Sequence, residues 1–109
     1  MSRTVRIAER ARADVDAIFN WLAPRSVAGA ISWYMAFRRA VEKIGELSES
    51  YGEAAEAHRL RRPLRQAMFK TRRGRTYRVV FEVFETEVIL LRVRGPGQAP
   101  LRRRDLPDQ

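Results

Sequence analysis

Apolar and polar residues alternate along the C-terminal half of the chain, above all between Phe69 and Pro96. Two apolar runs rich in β-branched and aromatic residues are separated there by a short polar break, a pattern typical of an antiparallel hairpin. The alternation over 76–84 predicts a strand, and the nearly continuous apolar run 88–93 predicts a central strand buried on both faces. A shorter alternating run over 66–71 predicts a further strand, which the turn 72–75 joins to the next one.

The two turns of this predicted sheet differ in their chemistry. Gly74 is expected to supply the positive φ that a tight turn commonly needs. Neither Glu85 nor Thr86 favours a positive φ, so a slightly longer loop is possible there, and the face that the last strand presents stays open. The last strand ends at Gly95-Pro96-Gly97, because proline cannot donate to the hydrogen-bond ladder.

The N-terminal half changes from a strand pattern to a helical one. Residues 3–8 alternate and predict a short strand, whose position at an edge or beside the long strand stays open. Apolar residues recur at helical spacing over 10–23 and predict an amphipathic helix that Pro24 ends. Ser26 is expected to cap a second, longer helix that ends near 48–50. Because so few residues separate the two helices, they must form an antiparallel hairpin.

The order of these elements predicts a single α+β domain over 1–109. That order is β-α-α-β-β-β, with the helical hairpin packed on one face of a small, mainly antiparallel four-stranded sheet. Residues 53–63 are expected to form a connector that carries the lone His58 at the surface. The segment 101–109 is expected to be a flexible tail.

Charge narrows the choice of partners. A formal net charge of +9 on 109 residues predicts attraction to nucleic acid, a ribosome or an acidic protein, although a merely solubilising excess of arginine stays open. The basic residues cluster in one window that contains no acidic residue: Arg59, Arg61, Arg62, Arg65, Lys70, Arg72, Arg73, Arg75 and Arg78.

Several classes of chemistry are excluded. The absence of cysteine excludes disulfides and thiolate chemistry and favours a cytoplasmic location. With a single histidine as well, a structural zinc site is not expected, and the chain has no P-loop or dinucleotide motif that would imply a cofactor. No apolar run is long enough to span a bilayer, so no membrane association is predicted.

The candidate site is therefore the basic margin of the sheet, formed by Lys70, Arg72, Arg73, Arg75, Arg78 and Arg94. Guanidinium groups bind phosphate in a bidentate way and can stabilise a phosphorane. A metal-independent endoribonuclease could use Arg78 and Lys70 for this purpose, with the 2′-hydroxyl of the RNA as nucleophile. Electrostatic docking without any reaction is the alternative.

Two stretches resemble the RelE/ParE toxin superfamily. One is Tyr-Arg-Val-Val-Phe at 77–81, followed after an acidic break by Glu-Val-Ile-Leu-Leu-Arg-Val at 87–93; the other is the first helix, over 11–22. The order of elements also matches, and the resemblance covers nearly the whole chain. It implies a growth-inhibiting toxin of a bacterial type II toxin–antitoxin pair, in a hetero-oligomer with its antitoxin.

The branches of this superfamily differ in their targets. Resemblance to the RelE branch implies ribosome-dependent mRNA cleavage, in which Arg78 matches a strand arginine that acts on the phosphate and Lys70 falls near the catalytic lysines. Gln98 stands about where that branch has a second arginine, and no tyrosine follows Tyr77, although that branch usually has one near its C-terminus.

The helical hairpin favours the ParE branch, which poisons DNA gyrase. The main hypothesis is a ParE-like toxin that binds gyrase without catalysis and is neutralised by a cognate antitoxin. A RelE-like mRNA endoribonuclease and a non-toxic, basic nucleic-acid-binding module are the alternatives.

The antitoxin is expected to cover either the helical hairpin or the basic groove with an acidic and apolar segment. Trp21 and Trp33 lie outside the clearest apolar stripes of their helices, so each is either a peripheral core residue or part of a partner surface. The candidate antitoxin-binding residues are Trp21, Trp33 and Arg38.

Overall fold

Two helices cover one face of a four-stranded sheet in the computed structural model, which describes residues 2–107. The strands are β1 (Thr4–Ile7), β2 (Arg65–Phe69), β3 (Tyr77–Val83) and β4 (Glu87–Arg94). The helices are α1 (Glu9–Leu22), α2 (Val27–Leu47) and the short α3 (Ala57–Leu60), with 3-10 turns at Ser48–Ser50 and Arg103–Asp105. The predicted α+β class and the order of the main elements are confirmed.

The sheet has the strand order β1-β4-β3-β2. β4 pairs antiparallel with β3, and β3 pairs antiparallel with β2. β1 runs parallel to β4, with Thr4 opposite Glu87 and Ile7 opposite Leu90. The first strand therefore lies at an edge, which was one of the two positions that the pattern left open.

The turns depart from the predicted geometry. Gly74 does not have a positive φ. Among the glycines of the described residues, Gly97 has a positive φ, of 81°. A Cβ at position 74 would lie 2.2 Å from Thr71 Oγ1, so a larger residue there would force the Thr71 side chain to move. Glu85 and Thr86 form a two-residue turn without positive φ, closed by a 2.8 Å hydrogen bond from the amide of Phe84 to the carbonyl of Glu87.

A β-bulge in β4 fixes the facing of the last strand. Phe81 pairs with Leu90 but Val80 pairs with Arg92, so Leu91 is the extra residue. Leu90 and Val93 consequently both pack in the core beneath the helices although they are three positions apart, whereas Leu91 packs on the opposite face. β4 is buried on both faces, as its apolar run predicts.

The main core lies between the helical hairpin and the sheet and is rich in aromatic rings. Trp33 of α2 is 3% exposed, and its ring centroid lies 6.1 Å from that of Phe37 and 5.8 Å from that of Phe69. Aromatic contacts of this kind add about 0.5–1.5 kcal/mol to the burial of apolar area. Of the two positions that the sequence allows for Trp33, the core is the one observed.

A second core covers the other face of the sheet, and the C-terminal segment helps to form it. Leu101 and Leu106 are buried there against Val80 and Leu91. The prediction of a flexible tail over 101–109 is wrong for 101–107, because these leucines bury apolar area and arginine side chains bind the carbonyls of the segment. Residues 108 and 109 lie outside the described residues.

Candidate functional site

A groove of about 970 Å³ opens between the tip of the helical hairpin and the loops at one end of the sheet. We call it the hairpin groove. Its helical wall includes Ile18, Trp21, Leu22, Arg25 and Gly29. Its sheet wall includes Thr71, Arg73, Arg75, Tyr77, Gly95, Pro96 and Gln98. Three arginines and no carboxylate are found among the described residues that line it, so the groove combines apolar walls with positive charge.

The helical wall presents an exposed aromatic ring beside a cation. Trp21 is 58% exposed, and the guanidinium of Arg25 lies 3.7 Å from the centroid of its ring. Arg25 also donates a hydrogen bond to the carbonyl of Trp21, which holds the guanidinium over the indole. Ser26 caps α2 as predicted, because its Oγ accepts a 2.9 Å hydrogen bond from the amide of Gly29.

The floor of the groove is continuous with the main core. The ring centroids of Trp33 and Tyr77 lie 5.5 Å apart, edge to face. Gly95 lies against Tyr77 so closely that an added Cβ would be 3.0 Å from the phenol ring. The buried indole N–H of Trp33 has no hydrogen-bond partner in the described part of the chain.

The loop between β2 and β3 carries the free cations of the predicted set. Lys70, Arg72, Arg73 and Arg75 are exposed, and their side chains make no hydrogen bond or ion pair within 2–107. Arg73 and Arg75 reach the hairpin groove. These cations are therefore available to a partner.

Arg78 is not available in the same way. Its guanidinium donates to Glu56 Oε1 at 2.9 Å, to Glu56 Oε2 and to Gln66 Oε1 at 3.0 Å. The Arg78 hydrogen bonds lower the pKa of Glu56 to about 2, despite burial, and a 2.8 Å hydrogen bond from the amide of Leu101 acts in the same direction. Arg78 therefore forms an internal ion pair with Glu56, on the face of the sheet opposite the helical hairpin.

Other arginines on or beside the sheet are also paired internally. Arg62 pairs with the buried Glu82. Arg92 binds both carboxylate oxygens of Asp14, at 2.8 and 2.9 Å, and Asp14 also accepts the amide of Val93 at 2.9 Å. Because the pairing of β1 ends at Ile7 opposite Leu90, β4 has a neighbour at Val93 only on its β3 side, and Asp14 replaces the missing partner on the other side. This contact fixes α1, and with it the groove's helical wall, to the sheet.

The remaining predicted site residues are dispersed. Arg94 lies opposite Arg78 in the sheet and donates to the carbonyl of Ala99 at 2.6 Å. Gln98 lines the groove, and its side-chain oxygen accepts from the amide of Gly95. Arg38 lies outside the groove, on the exposed side of α2, 3.4 Å from the Tyr34 hydroxyl.

Sequence reasoning missed three residues that shape the site: Arg25, Tyr77 as a groove residue, and Glu56. Arg25 follows Trp21 by four residues, a spacing that could have revealed their contact. Glu56 gave no such signal, because its partner Arg78 is distant in sequence.

In the described part of the chain, no group of three or more His, Cys, Asp or Glu residues is arranged to hold a metal ion. His58 is exposed, as predicted, although it lies in the short helix α3 and not in an irregular loop. Within 2–107, no helix is both long and apolar enough to cross a membrane.

No curated protein matches the sequence. A comparison with solved structures agrees with the architecture described above. A solved structure described as the chromosomal ParDE TA system from P. aeruginosa is similar with a TM-score of 0.59 and 16% identity, over 86% of this chain and 96% of that chain. This likeness supports the fold alone.

A family model matches residues 5–100, from β1 to the loop beyond the hairpin groove. The family is described as the ParE toxin of type II toxin–antitoxin system, parDE. The matched range covers most of the chain and both walls of the groove. The chain therefore belongs to the ParE toxin family of type II toxin–antitoxin systems, which implies an antitoxin as its partner.

Proposed function

We propose that this toxin inhibits growth by binding an essential cytoplasmic target rather than by cleaving RNA, and that DNA gyrase is this target. The observation that carries the proposal is the state of Arg78. A nuclease would need this arginine on the scissile phosphate, but its guanidinium is held by Glu56 and Gln66. Membership in the ParE family supports gyrase as the first target to test.

Groups for proton transfer also favour binding over catalysis. RNA cleavage by the 2′-hydroxyl requires a general base and a general acid near the phosphate. Tyr77 packs its ring on Phe69 and Trp33, and His58 is not among the residues that line the groove. The free cations of the β2–β3 loop could bind a phosphate, but no carboxylate or histidine lies among the described residues that line the groove beside them.

The hairpin groove is the proposed antitoxin site. Its apolar walls suit the apolar face of a peptide segment, and Arg25, Arg73 and Arg75 suit acidic residues beside that face. The groove includes the tip of the helical hairpin, so both surfaces that the sequence left open would be covered together. Binding there would produce a hetero-oligomer and block the same surface from the target.

A supercoiling assay tests the target. Purified toxin should inhibit supercoiling by gyrase and trap gyrase-cleaved DNA, and the antitoxin encoded beside it should reverse both effects. A toxin that does neither has another target.

A translating extract tests the nuclease alternative. The wild-type toxin should leave mRNA intact there. Cleavage that Arg78→Ala abolishes and Arg39→Ala preserves would overturn the non-catalytic proposal, because Arg39 is an exposed arginine of α2 outside the hairpin groove. Normal growth after induction of the toxin alone would favour a non-toxic nucleic-acid-binding module.

A further inference from the structure

The basic side chains of this protein divide into an engaged group and a free group. The arginines bound to carboxylates are Arg3, Arg6, Arg62, Arg78 and Arg92. Those bound to backbone carbonyls include Arg10, Arg59, Arg65, Arg94 and Arg103. Net charge alone therefore overstates the cationic surface, because much of it is committed to holding the fold.

The free cations concentrate in the loop between β2 and β3. Lys70, Arg72, Arg73 and Arg75 are all exposed and unpaired within the described residues. The sequence from 57 to 81 contains no aspartate or glutamate, so no neighbouring carboxylate along the chain competes for them. The loop is the densest source of uncompensated positive charge among the described residues.

The loop has a defined shape. The amide of Gly74 donates to the carbonyl of Thr71 at 3.2 Å, and the absence of a side chain at 74 lets the backbone lie against the Thr71 side chain. This turn holds three arginines on one short arc between two paired strands. A preorganised arc loses less conformational freedom on binding than a flexible segment does.

The composition of the arc favours a phosphate backbone over a protein surface. Its sequence, Lys-Thr-Arg-Arg-Gly-Arg-Thr, contains no apolar side chain. Protein interfaces depend on apolar and aromatic anchors at their centre, whereas contacts to nucleic-acid phosphates do not. Guanidinium forks also match phosphate oxygens in a bidentate way.

We propose that the β2–β3 loop binds the phosphate backbone of duplex DNA, through Arg72, Arg73 and Arg75. The choice of DNA rests on the proposed function, because gyrase holds duplex DNA and a toxin bound to it would lie beside that DNA. Arg73 and Arg75 also line the hairpin groove, so an antitoxin bound in the groove and DNA bound to the loop would compete for these two side chains.

A charge-matched pair of variants tests the loop. The loop variant combines Arg72→Gln, Arg73→Gln and Arg75→Gln. The control variant combines Arg12→Gln, Arg39→Gln and Lys43→Gln, which removes the same charge from exposed helical positions that have no side-chain partner within 2–107. Binding of the full-length proteins to a short fluorescent DNA duplex is measured by anisotropy across a salt series.

The loop variant should bind the duplex at least about tenfold more weakly than wild type at moderate salt. The slope of log K against log salt should fall by about 0.9 for each phosphate that the substituted side chains no longer neutralise. The control variant should stay close to wild type. Equal losses of affinity in the two variants, or wild-type binding by the loop variant, would overturn the inference. So would a single variant, Arg72→Gln, at a loop position outside the hairpin groove, that loses as much affinity for poly-L-glutamate as for the duplex, since the loop would then be a general anion-binding surface.

The DNA measurement contains no gyrase, so its outcome is separate from that of the target. If the toxin fails to inhibit gyrase but the loop variant still loses DNA binding selectively, the proposed function fails and the loop assignment stands. If the toxin inhibits gyrase and the loop variant binds DNA like wild type, the proposed function stands and the loop assignment fails.

Discussion

Glu56 and Arg78 form an ion pair on the face of the sheet that the helical hairpin leaves uncovered. The arginine side chain is 18% exposed and the carboxylate 3%. Glu56 also accepts the amide of Leu101 at 2.8 Å, so one carboxylate joins the α3 region, β3 and the C-terminal segment. The pair explains how the arginine of β3 is largely buried without an uncompensated charge.

Glu56→Gln should destabilise the protein by about 3 kcal/mol, because it leaves the Arg78 guanidinium partly buried without a counter-charge. Urea unfolding followed by circular dichroism measures the loss. Glu46→Gln, on the exposed side of α2, is the matched control and should change stability by less than about 0.5 kcal/mol. The double substitution Glu56→Met with Arg78→Met should recover much of the loss. Equal effects of the two single glutamine variants would contradict a stabilising pair.

Stability should fall in acid as Glu56 is protonated. Its folded-state pKa is about 2, below the ordinary value of 4.5, so the folded state binds this proton less readily than the unfolded state. The stabilisation is complete above about pH 4.5 and is lost as the pH falls toward 2, with a total of roughly 3 kcal/mol. A hydrogen bond from the amide of Arg102 lowers the pKa of Asp105 as well, and that group contributes in the same direction.

Urea unfolding at a series of pH values between 7 and 2 checks this dependence. The wild type should lose stability steadily below about pH 4.5, and Glu56→Gln should show a distinctly shallower decline. An unchanged slope in the variant would assign the acid sensitivity to other carboxylates.

Asp14→Asn should destabilise the protein by about 2–4 kcal/mol. The substitution removes the charge that binds Arg92 and weakens the acceptor for the amide of Val93. Asp16→Asn is the control, since Asp16 lies on the same helix, is exposed and has no side-chain partner within 2–107. Hydrogen exchange at Val93 should quicken in the Asp14 variant alone. Matching exchange rates in both variants would show that Asp14 does not protect the edge of β4.

The order and type of the main elements could be predicted because hydrophobic periodicity is local. The Ser26 cap and the buried β4 also follow from short stretches of sequence. The bulge at Leu91 could not be predicted, since it depends on how β3 and β4 pair rather than on either strand alone. The burial of Leu101 and Leu106 could not be predicted either, because they pack on a surface formed by residues that are distant in sequence.

The candidate site was predictable in location more than in detail. Sequence placed cations at the sheet margin, and the loop residues Arg73 and Arg75 do line the groove. It could not show which cations are free, because Arg78 and Arg72 look alike until their partners are known. Arg78 pairs with Glu56, which is distant in sequence, and is therefore a structural residue. Arg72 is exposed at the surface.

The two tryptophans should separate binding from stability. Trp21→Ala removes an exposed ring from the groove wall, so it should weaken binding to the cognate antitoxin by more than tenfold and change the free energy of unfolding by less than about 1 kcal/mol. Trp33→Ala removes a buried ring and should destabilise the fold by about 3–5 kcal/mol.

Titration calorimetry with the antitoxin measures the binding effect, with Phe84→Ala as the control because that ring is also exposed but lies outside the hairpin groove. The control should bind the antitoxin like wild type, since truncation of an exposed ring outside an interface leaves that interface intact. Equal losses of affinity in the Trp21 and Phe84 variants would show that exposed aromatic area in general, and not the groove, determines the affinity. Wild-type affinity in the Trp21 variant would place the antitoxin elsewhere, with the α2 surface around Arg38 as the next site to examine.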